Sequence, residues 1–176
     1  MMPLDPVTER VLKDVHPGLA ERIRKLAELL HPEGLQFRAY MGLRSNSQQL
    51  ELWRLGRETP SHIPCKHGAV GTCAKHPFGV PVTNARPGES WHNYGCAVDV
   101  APDNPALPGY QPNWNAGHPA WKRLIEVAES LGLRSGKSWQ DSPHLEFTGR
   151  FGTKPDGEIE YLYKEGGLKA VWEAIT

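Results

Sequence analysis

The chain has 176 residues, enough for one domain with its own core, and its 20 basic residues balance 20 acidic ones at a pI near 7.1. That balance excludes a nucleic-acid binder driven by phosphate neutralisation and a polybasic membrane-surface protein. With 39% hydrophobic residues and no apolar run near the roughly 18 residues a membrane span needs, a globular chain is expected.

From the N terminus, Met1-Met2-Pro3-Leu4-Asp5-Pro6 has neither a basic n-region nor an apolar h-region, so no secretory signal is expected. Over Glu9–Leu30, Val11, Leu12, Val15, Leu19, Ile23, Leu26 and Leu30 recur at helical spacing, and His16-Pro17-Gly18 divides them into two short helices. Leu35, Phe37, Ala39 and Met41 alternate with polar neighbours and predict a half-buried strand over Leu35–Leu43. Ser45 and Gln48 have capping-box spacing and open a helix to about Leu55. Glycine and proline then crowd the middle: 18 of the chain's 34 fall within residues 56–119, which predicts loops around short extended pieces. Gly95–Val100 reads as a compact strand and 102–117 as a second loop. After His118-Pro119, Trp121, Leu124, Ile125, Ala128 and Leu131 share one helix face, and Gly132 closes that helix. His144–Thr148 predicts a strand, Gly149–Gly157 a turn, and Leu168–Ile175 a last short helix. Strands and helices mix without βαβ alternation, so the expected class is α+β, as a single domain over 1–176.

The chemistry concentrates in Ser90-Trp91-His92-Asn93-Tyr94-Gly95-Cys96-Ala97-Val98-Asp99 and Asp141-Ser142-Pro143-His144-Leu145-Glu146. His92, Asp99 and His144 supply three N/O ligands, the number a catalytic zinc takes when a fourth position is left for water. Imidazole and carboxylate suit Zn²⁺ better than Mg²⁺ or Ca²⁺, which prefer all-oxygen shells. Asp141, three residues before His144, can stand beside the ion without ligating it and act as a base on water. Glu146 shares a strand face with His144, and both an orienting contact to that ligand and a solvated carboxylate are open readings. Trp91 and Trp139 are expected along the cleft, while Trp53, Trp121 and Trp172 fall at helical core spacing. His16, His31 and His118 are expected to be ordinary surface or core histidines.

These motifs resemble the zinc D-Ala-D-Ala carboxypeptidases and L-alanyl-D-glutamate endopeptidases that cut peptidoglycan stems, bacteriophage endolysins among them. The family hallmark S-x-H-x-x-G-x-A-x-D is met by Ser90, His92, Gly95, Ala97 and Asp99, and its downstream acid-x-x-His by Asp141 and His144. Gly42-Leu43-Arg44-Ser45, followed by Gln48, looks like the G-x-R-S-x-x-x-Q segment. The resemblance implies a small antiparallel sheet with flanking helices, the fold shared with the hedgehog signalling domain. It implies His92, Asp99 and His144 as zinc ligands, Asp141 as catalytic base, Arg44 at the scissile carbonyl, and Ser90 as a substrate or supporting contact. Arg44 as a plain ion pair and Ser90 as a turn residue are the bland alternatives. The D-x-P-H form at Asp141-Ser142-Pro143-His144, Tyr94 in H-N-Y-G and Val82-Thr83-Asn84-Ala85 look like the L-Ala–D-Glu branch. Release of D-Ala as a carboxypeptidase or dipeptidase is the rival within the family, and a non-catalytic zinc domain the rival outside it.

Residues 61–79 depart from the family pattern as an insertion containing Cys65, His67, Cys73 and His76. A plain surface loop, a second, structural zinc on those four residues, and a Cys65–Cys73 disulfide are all open readings. The expected partner is peptidoglycan, reached by a monomer without nucleic acid or a membrane span. A lysin made in the cytoplasm without a leader would need a holin-like partner before it acts on the wall.

Overall fold

The computed structural model describes residues 4–63, 73–104, 106, 109–139 and 141–175. The N-terminal helices are α1 (Pro6–Leu12) and α2 (Pro17–Leu30), each with proline in its first turn, where no N–H partner is lost. The Asp5 carboxylate caps α1 by accepting from the Val7 and Thr8 N–H groups, and buried Thr8 accepts from the Ala39 N–H, fixing the helix to the first strand. α1 thus begins three residues before the expected Glu9, at a cap-plus-proline signal lying just upstream of the apolar periodicity. Histidine caps the next helix: His16 Nδ1 accepts from the Gly18 N–H at 2.9 Å, and its Nε2 lies 3.1 Å from the Trp172 carbonyl. The ring is buried, so His16 is a structural core residue.

Four strands, β1 (Phe37–Met41), β2 (Ala97–Pro102), β3 (Arg134–Gly136) and β4 (Asp141–Glu146), form one antiparallel sheet in the order β1-β2-β4-β3. Three further helices complete the fold: α3 (Asn46–Arg54), α4 (Pro119–Ser130) and α5 (Gly157–Ala174). The two-residue strand period divides the sheet into a core face and a chemical face. Val98, Val100 and Leu145 join Leu19, Ile23, Leu26 and Leu30 of α2 and Leu124 and Ala128 of α4 in the main core. Each large aliphatic side chain buried there contributes about 1.5–3 kcal/mol. Asp99, between Val98 and Val100, and His144 and Glu146, flanking Leu145, belong to the opposite face. Asp99 and His144 are register partners across β2 and β4.

A second core forms where α5 meets the 3₁₀ turn Trp91–Tyr94: Trp91, Tyr94, Cys96, Phe151, Ile159, Val171 and Ile175 pack together. α5 is longer than the expected Leu168–Ile175. Asp156 caps it, and non-helical Gly167 divides it into two segments, of which the sequence reading found the second. The earlier segment escaped because its buried apolar contribution is chiefly Ile159, while Tyr161 and Tyr163 face water. β3 was missed as well, being three residues long and ending on glycine. β4 starts three residues before the expected His144 despite containing Pro143. Ser135 pairs with Leu145 and Gly136 with Asp141, so Ser142–His144 bulge away from β3 and the missing proline N–H breaks no β3 pairing.

Candidate metal and catalytic site

Gly95 closes the 3₁₀ turn at φ 66°, the left-handed region that glycine enters without strain. This reversal holds His92 on one side of the cleft while β2 carries Asp99 to meet it. His92 Nε2 lies 3.2 Å from Asp99 Oδ1, and His144 Nδ1 lies 3.5 Å from the same oxygen. One donor atom from each of the three residues falls within 4.8 Å of the others, the one such metal-holding group among the described residues. Ligands at about 2.0–2.1 Å around a tetrahedral zinc stand about 3.3 Å apart, so the donor set matches that geometry.

Neighbours select which nitrogen each ring presents. His92 Nδ1 is 2.8 Å from the Gly42 carbonyl, which takes its proton and leaves Nε2 as the lone-pair donor. His144 Nε2 is 2.9 Å from Glu146 Oε2, leaving Nδ1 facing Asp99. Glu146 is 1% exposed, which decides its role: it is an orienting contact and not a solvated carboxylate. Arg134 Nε stands 2.5 Å from Glu146 Oε1, but its N–H is misaligned for a hydrogen bond, so the two form an ion pair by proximity. In the absence of a cation, burial works against charge on His144, yet hydrogen bonds to Asp99 and Glu146 outweigh it and push its pKa up to about 9. Burial likewise works against the Asp99 carboxylate, but the two histidines hold it well below the ordinary aspartate range. The carboxylates of Asp99 and Glu146 thus favour positive charge at His144.

Asp141 and Arg44 flank this group. A β-carbon on Gly136 would fall on the Asp141 carbonyl, so glycine there allows the close pairing that places Asp141 at the cleft mouth. Asp141 reaches water, yet desolvation by the cleft walls and then the Asp99 charge raise its pKa above the usual aspartate value. Arg44 is buried, with Nη2 3.4 Å from Asp99 Oδ2 and Nη1 donating to Gln49 Oε1 at 2.9 Å. Its backbone is tied to the histidine turn: the Arg44 N–H donates to the His92 carbonyl, and the Asn93 amide donates to the Arg44 carbonyl. The Ser90 hydroxyl accepts from the His92 N–H at 3.3 Å, so this residue caps the turn while also lining the cleft.

Gln49 is a positioning residue that the sequence reading overlooked. Gln48 belongs to the α3 capping box with Ser45, whereas Gln49, fully buried, accepts from Arg44 and donates to the Ala85 carbonyl. Counting G-x-R-S-x-x-x-Q from Gly42 lands on Gln49, which was the available signal. Val82-Thr83-Asn84-Ala85 forms a cleft wall clamped by Gln49 of α3 and by Arg57 just beyond that helix, which donates to the Thr83 carbonyl and the Asn84 side chain.

The cleft encloses about 680 Å³ and reaches from Tyr40 and the 81–85 wall to Thr153 and Lys154. A hollow of similar size, about 690 Å³, lies beside the start of α4. Its polar groups serve structure: Arg123 pairs with Glu33, Asp103 accepts from the Gln111 N–H, and His118 caps α4. Trp91 borders the cleft but is buried, its indole N–H donating to the Gly152 carbonyl, so it is core more than cleft surface. The Trp139 side chain, Cys65 and His67 lie outside the described residues, and Cys73 and His76 belong to no metal-holding group among those described.

Against this geometry, the model of a family described as D-alanyl-D-alanine carboxypeptidase matches residues 83–147, from the cleft wall through β4. The peptidoglycan L-alanyl-D-glutamate endopeptidase CwlK of Bacillus subtilis (strain 168) is 32% identical over 144 residues, covering 77% of this chain and 75% of that protein. The chain belongs to this family of peptidoglycan peptidases. Among solved structures, the LdcB LD-carboxypeptidase aligns with 92% of this chain and 70% of its own, at 17% identity and a TM-score of 0.47. The family match covers His92, Asp99, Asp141 and His144, while Arg44 and Gln49 lie upstream of it.

Proposed function

We propose that the protein is a zinc peptidase that hydrolyses the L-Ala–D-Glu amide of peptidoglycan stems at the cell wall. The observation that carries the metal is the spacing of His92 Nε2, Asp99 Oδ1 and His144 Nδ1, with Gly42 and Glu146 dictating the tautomers. These three atoms would hold the ion. Bound zinc supplies Lewis acidity, which polarises a carbonyl and brings the pKa of water toward neutrality.

Asp141 accepts the proton of the attacking water and returns it to the amine as the C–N bond breaks, a role suited to a carboxyl of raised pKa. Arg44 donates to the carbonyl oxygen as negative charge grows there, held in place by Gln49. Ser90 contacts the stem from the cleft wall.

The bond assignment is supported by Asp141-Ser142-Pro143-His144 and by the identity to the Bacillus subtilis endopeptidase. Release of terminal D-Ala is the second reading, favoured by the description of the matching family. Mass spectrometry of digested muropeptides separates them: new D-Glu amino termini are expected, and free D-Ala without such termini would overturn the assignment.

A further inference from the structure

Tyr40 and Trp114 form an aromatic feature at the cleft that the hydrolytic chemistry leaves unused. Ala39 pairs with Val100 and Met41 with Asp99, so Tyr40 is the extra residue of a bulge in β1, next to the strand that bears Asp99. Bulges beside active sites re-aim side chains, and this one presents Tyr40 to the cleft. Trp114 meets its ring edge-on, with centroids 5.6 Å apart and planes at 81°.

Trp114 is 59% exposed and Tyr40 38% exposed. The tryptophan is nevertheless anchored through its neighbours. The Asn113 N–H donates to the Pro102 carbonyl at the end of β2, and the Asn113 carbonyl accepts from the buried Trp121 indole at 2.8 Å. The Asn115 N–H donates to the Asn113 side chain, and the Asn115 carbonyl accepts from the His118 N–H. A large ring is thus held in water by a braced backbone, continuous with the cleft through Tyr40.

We propose that Trp114, braced by Tyr40, is a stacking platform for a pyranose ring of the glycan strand while the attached stem peptide occupies the cleft. The inference rests on the reading of the protein as a stem peptidase. In peptidoglycan the stem hangs from the sugar through its L-Ala, so one residue separates the L-Ala–D-Glu bond from the glycan. A residue spans at most about 3.6 Å and the lactyl arm that joins L-Ala to the sugar adds a similar length, so the sugar falls at the rim of a cleft that holds the scissile bond. A pyranose presents a C–H face to the electron-rich face of an aromatic ring and keeps its hydroxyls in water, which matches a largely exposed indole.

The test compares kcat/KM for a disaccharide-tetrapeptide and for the same tetrapeptide freed of sugar, using wild type, Trp114→Ala and Trp114→Phe. Wild type is expected to favour the sugar-bearing substrate by roughly three- to tenfold, the span of an aromatic contact. Trp114→Ala should bring that ratio toward one, and Trp114→Phe should keep most of it. Equal preference in wild type, or a ratio unchanged in Trp114→Ala, overturns the platform. Saturation-transfer NMR with the stem-free disaccharide separates the two readings. Saturation transfer to the disaccharide that Trp114→Ala removes, with neither peptide cut, supports the platform and refutes the peptidase assignment; cleavage of both substrates at equal kcat/KM, with no such transfer, does the reverse. A concentration-dependent wild-type dimer lost in Trp114→Ala would instead assign the ring to self-association and overturn the platform.

Discussion

Replacing Glu146 with alanine tests whether the protein tunes its metal through a ligand's neighbour. The carboxylate is 2.9 Å from His144 Nε2, fully enclosed, and its removal frees the imidazole to turn and to change tautomer. Loss of such a supporting carboxylate costs about 10–100-fold in metal affinity, or about 1.4–2.7 kcal/mol. The fold suffers separately, because Arg134 loses its partner. That arginine keeps the Thr148 hydroxyl and the Gly152 carbonyl, and its side chain is 33% exposed. Water therefore screens part of the loss, and the metal-free protein should lose about 1–3 kcal/mol, below the roughly 3–5 kcal/mol of a fully buried broken pair. Competition of a chromogenic chelator for zinc measures the first effect, and urea unfolding of metal-free protein the second. Glu146→Gln, with similar volume and an acceptor for the His144 N–H, should lose less of both. Wild-type zinc affinity in Glu146→Ala, alongside easier unfolding, would refute the orienting role and leave Glu146 as a structural charge only.

Asp141→Ala should retain zinc and lose about 10²–10⁴-fold in turnover, whereas His144→Ala should lose zinc too; elemental analysis beside a hydrolysis assay distinguishes them. Gln49→Ala should lower kcat by about tenfold at unchanged zinc content, because it loosens Arg44 without touching a ligand. His16 gives a pH signature outside the His92–Asp99–His144 group. Burial lowers its folded-state pKa, so the unfolded chain, near about 6.5, takes up the proton first. Stability is therefore unaffected by His16 above about pH 6.5 and falls as pH drops from there toward the folded value, when protonation of Nδ1 breaks the α2 cap. His16→Asn, a capping residue that does not titrate, should show a smaller loss of unfolding free energy between pH 7.5 and 5.5 than wild type.

Much of this site was legible because its spacing is chemical. His92 and Asp99 sit seven residues apart across one glycine reversal, and Asp141 and His144 follow on a strand, so residue types and intervals already named the group. The α2 and α4 stripes and the alternation of β1 were equally readable, since apolar period translates directly into a buried face. What escaped was decided by tertiary contact. Whether Glu146 faces water or a ligand depends on β2 and β3 enclosing β4, which no local interval encodes. Tyr40 became a cleft residue through one extra residue in β1, a shift that alternation alone cannot reveal. The first half of α5 carried a readable cap at Asp156, but Ile159 anchors it against a core assembled from distant segments.

The central claim is that His92, Asp99 and His144 hold a zinc ion on which hydrolysis depends. Zinc titrated back into chelator-stripped protein, with bound metal and stem-peptide hydrolysis recorded together, tests it directly. The two signals should rise in parallel and saturate at one zinc per chain, and both should be absent in His92→Ala. Full hydrolysis by the stripped protein, or stoichiometric zinc binding retained in His92→Ala, would contradict the account.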